Sequence, residues 1–550
     1  MTMWYGFLGG TVDTAGICRL IAEETRRHSI PLLDVALVGA EGTVWHRRFS
    51  QGREESAETA AVPVVYRAGS ISKMLTAVAV MRAVESGGLD LDAPIHACCP
   101  ELVFADPSGA PAAVTLRHLL SHTAGLQRES PVGSYFDSTG PAIEETVLSM
   151  VGTHLVLAPG TRAKYSNIGP TIAAYVLSRV TGIPWGRQIE EGILVPLGMR
   201  HSGFTVRHTP PGARASDAWM TAFDGSMFPA PRFDLGTPPS GNLCSTAEDL
   251  ARFARCLLAG GTAGDYRMLR PETLRAMATV QPVRGDPAPS AGFGLGMAVG
   301  TLHGCRTVGH GGAVYGYSAD LLLLIDEGVG AIVLNNLDCA GGVNAKIRTR
   351  LLETALGERG RSFEPVFGKG DPGPVEKLPG YAGSYRSADE WAEVTVGSGQ
   401  LVLHSVGTSK RLRRVGTDRF VTDDRMSAGV SVEFLRDEVG RVSELRAGET
   451  SFVRAEPAAP AADPDLGGFC GDYGPPHAGL RILRRASRLV CRIEWMFEYD
   501  LEPLGDSRFA FRGHGMYEGE ELRFGWDDHG RAAEVRLSGI RFPRREGAQE

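Results

Sequence analysis

The sequence predicts an α+β chain: a mixed domain of helices and strands over residues 1–358, followed by two small antiparallel β-barrels at 378–456 and 466–550. Three observations carry this. Helical and strand-like runs alternate up to about residue 360. The texture then changes: Arg359–Glu376 is rich in Gly, Pro and charge, and beyond it short strand-like segments with turn residues replace the helical period. Finally, the tail repeats itself. Leu378-Pro-Gly-Tyr-Ala-Gly-Ser-Tyr385 aligns with Leu466-Gly-Gly-Phe-Cys-Gly-Asp-Tyr473, Leu401-Val-Leu403 with Leu489-Val-Cys491, Gly416–Phe420 with Gly505–Phe509, and Phe434 with Phe524. The offset stays between 88 and 90 throughout, which marks a duplicated unit. Two copies are too few for a solenoid. Closing each into a barrel leaves few strand edges exposed.

The elements follow in order. A helix spans about 16–28. Two strands lie in 31–49, around the turn Glu41-Gly42, and Val62–Tyr66 is another strand-like run. Ser70–Glu85 has apolar residues at Ile71, Met74, Leu75, Val78 and Met81, a helical period that ends at Gly87-Gly88. Ser245-Thr-Ala-Glu248 reads as a capping box ahead of Leu250, Phe253 and Leu257. Strands are expected at Thr307–Gly309, Leu321–Ile325 and Ala331–Leu334, and a helix at Val343–Leu356. Residues 359–377 and 457–465 read as linkers, the second rich in Ala, Pro and Asp over Ala458–Asp465.

Composition removes several classes of function. Gly and Pro, 70 and 33 of 550 residues, stay under the roughly 25–30% that marks a low-complexity chain. A net charge of −7 gives no general basic footprint for nucleic acid. No apolar run approaches the roughly 18 residues of a membrane span, and Met1–Gly10 lacks the basic start of a secretory signal. Nine cysteines without a CxxC motif argue for a reducing cytoplasm and against a disulfide framework. The fourteen histidines form no metal-ligand pattern, so neither a metal nor another cofactor is expected. One bias stands out: of 57 basic residues only six are lysines, at 73, 164, 346, 369, 377 and 410. Lysine can be deprotonated at usable pH and arginine cannot, so Lys73 is a candidate base.

Three short motifs could carry chemistry. Ser70-Ile-Ser-Lys73 places a serine at a helix start, where unpaired backbone N–H groups favour developing negative charge, with a lysine three residues on along the same face. A neutral lysine could take the serine proton. Tyr165-Ser-Asn167 lies on a turn entering an apolar helix from about Pro170. If it faces Ser70, Tyr165 can shuttle protons and Asn167 can bond Lys73 and a substrate amide. His310-Gly311-Gly312 follows the strand Thr307–Gly309. The glycines permit close backbone approach, so the N–H of Ala313 could join that of Ser70 in an oxyanion hole. Each motif alone has an ordinary structural reading: a capped helix with a solvated charge, an exposed tyrosine in a turn, a strand ending in glycines.

Their order is the stronger evidence. S-x-x-K, then Y-x-N, then H-x-G resembles the serine β-lactamase and penicillin-binding protein superfamily. Arg67-Ala-Gly-Ser-Ile-Ser-Lys-Met-Leu-Thr76 resembles its nucleophile segment. Thr115–Leu126 and Gly241-Asn-Leu-Cys-Ser-Thr-Ala-Glu-Asp-Leu250 resemble its class C-like branch. The resemblance covers about 15–358. It implies an antiparallel sheet with helices on both faces plus an all-helical part. It also implies Ser70 as the acylated nucleophile, Lys73 as its activator, Tyr165 as general acid/base and Asn167 as a positioning group, with His122 mainly structural. His310 stands where the family more often has the lysine that holds the carboxylate of β-lactams and cell-wall peptides. The H-x-G version occurs in D-aminopeptidases, esterases and peptide cyclases, and a tail of two eight-stranded barrels is similar to the D-aminopeptidase architecture. The resemblance therefore implies a serine acyl hydrolase for a small peptide, amide or ester, first as a D-aminopeptidase or D-amino-acid amidase. An esterase or transacylase, a β-lactamase or DD-peptidase, and a non-catalytic ligand sensor stay open. The tail could gate the site through Tyr473–Gly479 or Gly513–Gly519, mediate a homodimer, or stabilise.

Overall fold

The computed structural model describes residues 14–545, apart from 207–208, 223–224, 284–290, 368–374, 388–390, 398, 406–407, 449, 456–465, 486–487, 495–496 and 514. The expectations for Met1–Gly10 and for the linker 457–465 lie outside the described residues. The chain divides into two compact units, the second of which holds Glu364–Glu550.

The first unit is built on an eight-stranded antiparallel sheet. Its order is Gly292–Phe293, Ala298–Leu302, Cys305–Val314, Tyr317–Leu324, Val329–Asn335, Leu32–Gly39, Thr43–Ser50 and Arg53–Glu54. The early strand Leu32–Gly39 thus pairs with the late strand Val329–Asn335, from Leu33 opposite Asn335 to Gly39 opposite Val329. Both strands are buried along their whole length, because helices cover both faces. On one face Thr14–Arg27 and Gly341–Glu358 pack through Ile17, Ile21, Val343, Ile347 and Leu351 onto Leu33, Val35, Leu37, Val329 and Val333. On the other lies Ala247–Leu258. A helical part built round Ser72–Glu85 and Ile168–Thr181, both buried nearly all round, stands beside the sheet.

Two local expectations change. The helix Ala247–Leu258 is capped one residue later than read: the Thr246 hydroxyl accepts from the Asp249 N–H at 3.1 Å. The Ser245 hydroxyl instead contacts that of Ser202, 2.8 Å away. And the strand expected at Thr307–Gly309 is longer: Cys305–Val314 runs on through His310-Gly311-Gly312, with Gly311 opposite Asp320 and Gly312 opposite Ala319 on the neighbouring strand. The glycines serve the interior of a strand. A Cβ on Gly312 would lie 2.0 Å from the Ala68 carbonyl oxygen, so only a bare Cα lets this strand approach the segment before Ser70.

The second unit carries two eight-stranded antiparallel sheets. Gly383–Arg386 to Thr450–Ala455 form a closed barrel, sealed where Ser384 meets Ala455. Gly471–Tyr473 to Ile540–Pro543 form a nearly closed one, whose ends are tied by Gly474 N–H to Pro543 O and Arg545 N–H to Asp472 O, each 2.8 Å. The copies share internal detail. Tyr385 donates to the Tyr381 carbonyl and Tyr473 to that of Phe469, each four residues back and 2.6 Å away. Arg454 lies over the Tyr385 ring at 5.8 Å, and Arg544 over Tyr473 at 5.5 Å. Part of the expected loop Tyr473–Gly479 is a short 3₁₀ turn, Pro476–Ala478.

Candidate active site

Ser70 sits in the tight turn that joins the strand Val64–Gly69 to the helix Ser72–Glu85, two residues ahead of that helix rather than in it. The Ile71 N–H is taken by the Ala68 carbonyl at 3.2 Å and the Lys73 N–H by that of Ser70 at 3.0 Å. The turn is held from below by Ser72, whose hydroxyl donates to Gly69 O at 2.6 Å and accepts from Leu243 N–H at 2.9 Å. Gly69 has φ +52°, and a Cβ there would lie 2.9 Å from the Ala313 nitrogen. The backbone of the H-G-G strand therefore runs directly beside Ser70. Gly312 and Ala313 lie on that strand, against Ala68 and Gly69 respectively.

The Ser70 oxygen is a meeting point. Tyr165 OH donates to it at 2.7 Å, and Lys73 Nζ lies 3.0 Å away. Lys73 also donates to Asn167 Oδ1 at 2.9 Å and to the Ser240 carbonyl at 2.8 Å. Both of those oxygens only accept. When Lys73 is neutral, its two N–H bonds therefore point at Asn167 and Ser240, and its lone pair is left facing the Ser70 hydroxyl. The orientation of Asn167 is itself fixed, since its Nδ2 donates to Glu129 Oε1 at 2.5 Å. Burial pushes the Lys73 pKa well below that of a free lysine; the charge of Arg128 pushes the same way and that of Glu129 opposes. Lys73 is fully buried, and no carboxylate lies within ion-pair distance of it among the described residues. A lysine held in this way can accept the serine proton.

His122, at φ +59°, packs its ring against Tyr165, tilted by 31° with centroids 4.4 Å apart, and meets Phe293 edge-on at 4.8 Å. Its Nδ1 accepts from the Ser166 N–H at 3.2 Å and its carbonyl from the Lys164 N–H at 2.7 Å. It braces the Y-x-N turn, and no bond joins it to Ser70. His310 is buried, and its pKa is pushed down to about 4 by burial first and by Lys73 second. Its Nδ1 lies 2.5 Å from the Gly311 carbonyl. A carbonyl only accepts, so Nδ1 carries the proton. The neutral ring then leaves Nε2 as a bare acceptor, buried without a partner.

Sequence reasoning missed Glu129, Arg128 and Ser240. Glu129 has no motif. It matters because it fixes Asn167 and accepts from the Tyr135 N–H at 3.0 Å. Ser240 immediately precedes the recognised segment 241–250, which was its only available signal. Tyr135 and Tyr315, stacked at 4.4 Å with Phe233 beside Tyr315 at 5.0 Å, form an aromatic group that sequence did not bring together.

Comparison with known proteins places the chain in a family and matches its fold. The sequence profile of the family described as Beta-lactamase matches residues 17–356. Penicillin-binding protein 4 of Amycolatopsis lactamdurans is 30% identical over 334 residues, covering 58% of this chain and 84% of that one. Esterase EstB of Burkholderia gladioli is 28% identical over 342 residues, covering 54% and 84%. Among solved structures, the D-amino acid amidase from Ochrobactrum anthropi SV3 complexed with L-phenylalanine amide shares the fold at TM-score 0.51 and 21% identity, over 62% of this chain and 99% of that one.

Proposed function

We propose, on the premise that the chain belongs to the Beta-lactamase family, that it is a serine acyl hydrolase working through an acyl-enzyme on Ser70. The observation that carries this is the Ser70 oxygen held between the Tyr165 hydroxyl and a lysine surrounded by neutral acceptors. The Ser70 proton passes to Lys73 Nζ as Oγ bonds to the substrate carbonyl carbon. The carbonyl oxygen becomes an oxyanion and is met by the N–H groups of Ser70 and Ala313. As the tetrahedral centre collapses, the bond to the leaving amine or alcohol breaks. Tyr165 supplies that group's proton and is reprotonated by Lys73. Water then attacks the ester carbonyl, its proton returns through Tyr165, and Ser70 is released with the acid.

For substrate, we favour a small amide or ester whose acyl part carries a hydrogen-bond donor, with D-amino-acid amides and D-aminopeptidase substrates first. His310 supports this: it offers a buried acceptor and no cation, which suits an ammonium or hydroxyl and gives a carboxylate nothing to pair with. An esterase reading is favoured by the similarity to Esterase EstB; acyl transfer is the alternative outcome for the same acyl-enzyme. The test is turnover of D-alanine p-nitroanilide, its L-isomer and a short p-nitrophenyl ester, with and without an amine acceptor. Wild type is expected to release chromophore and to gain one acyl mass on Ser70, and Ser70→Ala to do neither. Equal release by the two proteins would falsify the nucleophile. Turnover of esters with no D-anilide cleavage removes the aminopeptidase reading, and release only with added amine assigns acyl transfer.

A further inference from the structure

A cavity of about 280 Å³ lies in the first unit, and none of the acyl-site residues lines it. It is nearly twice the roughly 150 Å³ that accommodates a benzene ring. Its wall includes Val65 on the strand that leads to Ser70, Ala215 paired beside Val65, and Trp219, Ala230 and Tyr317. The polar groups of this wall are committed elsewhere. Tyr317 OH donates to the Ser216 carbonyl at 2.7 Å, the Ser216 hydroxyl to Val65 O at 3.1 Å, and the Thr205 hydroxyl to Asp234 at 2.7 Å. The Ala230 N–H goes to Ala218 O at 2.8 Å, and the neighbouring prolines 229 and 231 have no N–H to give. The guanidinium nitrogens of Arg67 and the hydroxyl of Tyr66 are closed off from water, so neither side chain offers an occupant a charge or a hydrogen bond. Cys244 contributes a neutral thiol, its pKa pushed up to about 11 by burial.

Such a wall rewards removal of apolar surface from water and penalises an ion, which would lose its hydration without gaining a partner. Asp217 and Arg232 stand exposed at the edge with opposite charges, so the rim favours neither sign. We propose that this cavity binds a neutral aromatic molecule of two fused rings, held against Val65, Ala215 and Trp219 by apolar burial and ring contact rather than by hydrogen bonds. The volume beyond that of the benzene-sized cavity suits the second ring, and Trp219 supplies an aromatic neighbour. The same wall reaches both segments that frame the acyl site. Val65 lies five residues before Ser70 on one strand. On the other side, a Cβ on Gly316 would lie 2.6 Å from Ala230 Cβ and 2.8 Å from Ala218 Cβ, so the hairpin that follows Ala313 rests on residues of the cavity wall. The site itself does not depend on the reaction assigned to Ser70.

The experiment uses the full-length Ser70→Ala protein with naphthalene as probe, and 1-naphthoate and 1-naphthylmethylammonium as its charged counterparts at pH 7. Equilibrium dialysis is expected to give saturable 1:1 binding of naphthalene and at least tenfold weaker binding of both ions. Adding Ala215→Leu, which narrows the cavity and leaves every acyl-site residue in place, is expected to weaken naphthalene at least tenfold. Ala215→Val, a smaller step, is expected to weaken it at least threefold, and it decides the matter should Ala215→Leu fail to fold. Absence of saturable binding, binding of either ion as tight as that of naphthalene, or naphthalene binding that is undiminished in the folded Ala215 variants each overturns the proposal; the last would place the probe elsewhere, the acyl site included.

Discussion

Two of the three buried lysines of the first unit, Lys73 and Lys346, are held by different means. Lys73 Nζ has three neutral oxygens around it, from Ser70, Asn167 and Ser240. Lys346 Nζ lies 2.7 Å from Glu24 Oε1, joining the helices Gly341–Glu358 and Thr14–Arg27. The pairing also marks Glu24: burial alone would raise its pKa, yet hydrogen bonds from His28 and Lys346 hold it down at about 2. The contrast teaches what distinguishes a reactive buried cation from a structural one. A carboxylate partner locks the ammonium form, whereas neutral acceptors satisfy two N–H bonds and leave burial free to favour the amine. Scarcity of lysine does not separate the two, since both survived the bias toward arginine.

The largest expected effect breaks the reactive side. Lys73→Arg keeps the charge but cannot accept a proton, and kcat/KM is expected to fall by about 10²–10⁴-fold, the range of general acid–base catalysis. Steady-state kinetics on the ester and anilide substrates would check it. Retention of wild-type kcat would show that Lys73 does not act as a base.

Breaking the structural side should move stability instead. Glu24→Gln leaves the Lys346 ammonium buried beside a neutral amide, at a cost of about 3–5 kcal/mol. Urea unfolding would read this, with activity per folded molecule unchanged. Loss of activity without loss of stability would mean that the helix pair reaches the site in a way the contrast does not capture.

Acid should weaken both regions in separate windows. The unfolded chain protonates His310 near pH 6.5, and the folded chain does so only near 4. Between these values the unfolded state binds more protons, so stability falls as pH drops from 6.5 toward 4, by about 3 kcal/mol in full. His122, also held well below its usual range by burial and by Lys73, adds in the same direction. Glu24 acts lower: its contribution is present above 4.5 and is lost as pH falls toward 2. Urea midpoints measured from pH 7 to 4.5 should slope for wild type and slope less steeply for His310→Gln, the remainder coming from His122. An unchanged slope removes His310 as the source.

A smaller effect is expected at Glu129, which acts through Asn167. Glu129→Gln leaves the Asn167 amide free to flip its oxygen away from Lys73. The charged hydrogen bond lost is worth about 1.5–3 kcal/mol, or roughly 10–100-fold in kcat. A shift of the acidic limb of the pH–rate profile to lower pH should accompany it, since Glu129 favours the Lys73 ammonium. An effect on KM alone would assign Glu129 to substrate binding.

How far these contrasts were legible in sequence depended on whether the signal was local. Ser70 and Lys73 stand three residues apart in one short segment, and the tail repeat keeps register over some 90 residues, so both could be read directly. Glu129 and Ser240 carry no pattern, because their roles arise only when segments 38 and 73 residues from Asn167 meet it. At His310-Gly311-Gly312 the strand runs on past the end expected at Gly309. Paired glycines usually break a strand, and here they continue it because the Ala68 carbonyl occupies the space a side chain would need. The capping box misled by one position, since Ser245 with Glu248 and Thr246 with Asp249 both fit the pattern. A tertiary contact, the Ser202 hydroxyl, decided between them.

Lys346→Arg should give the smallest effect and is the other half of the test at Lys73. Arginine keeps the positive charge opposite Glu24 and needs no deprotonation, so the ion pair survives. The larger head must be fitted into a buried position next to His28 and Arg27, which also approach Glu24, at 3.4 and 3.8 Å. Overpacking of this kind costs about 1 kcal/mol. Thermal unfolding should therefore shift by only a few degrees, and kcat/KM should stay at the wild-type value. The same substitution would then be nearly silent at one buried lysine and disabling at the other. If Lys346→Arg proved as damaging to turnover as Lys73→Arg, burial alone would explain both, and the case for Lys73 as a base would have to rest on its geometry without the contrast.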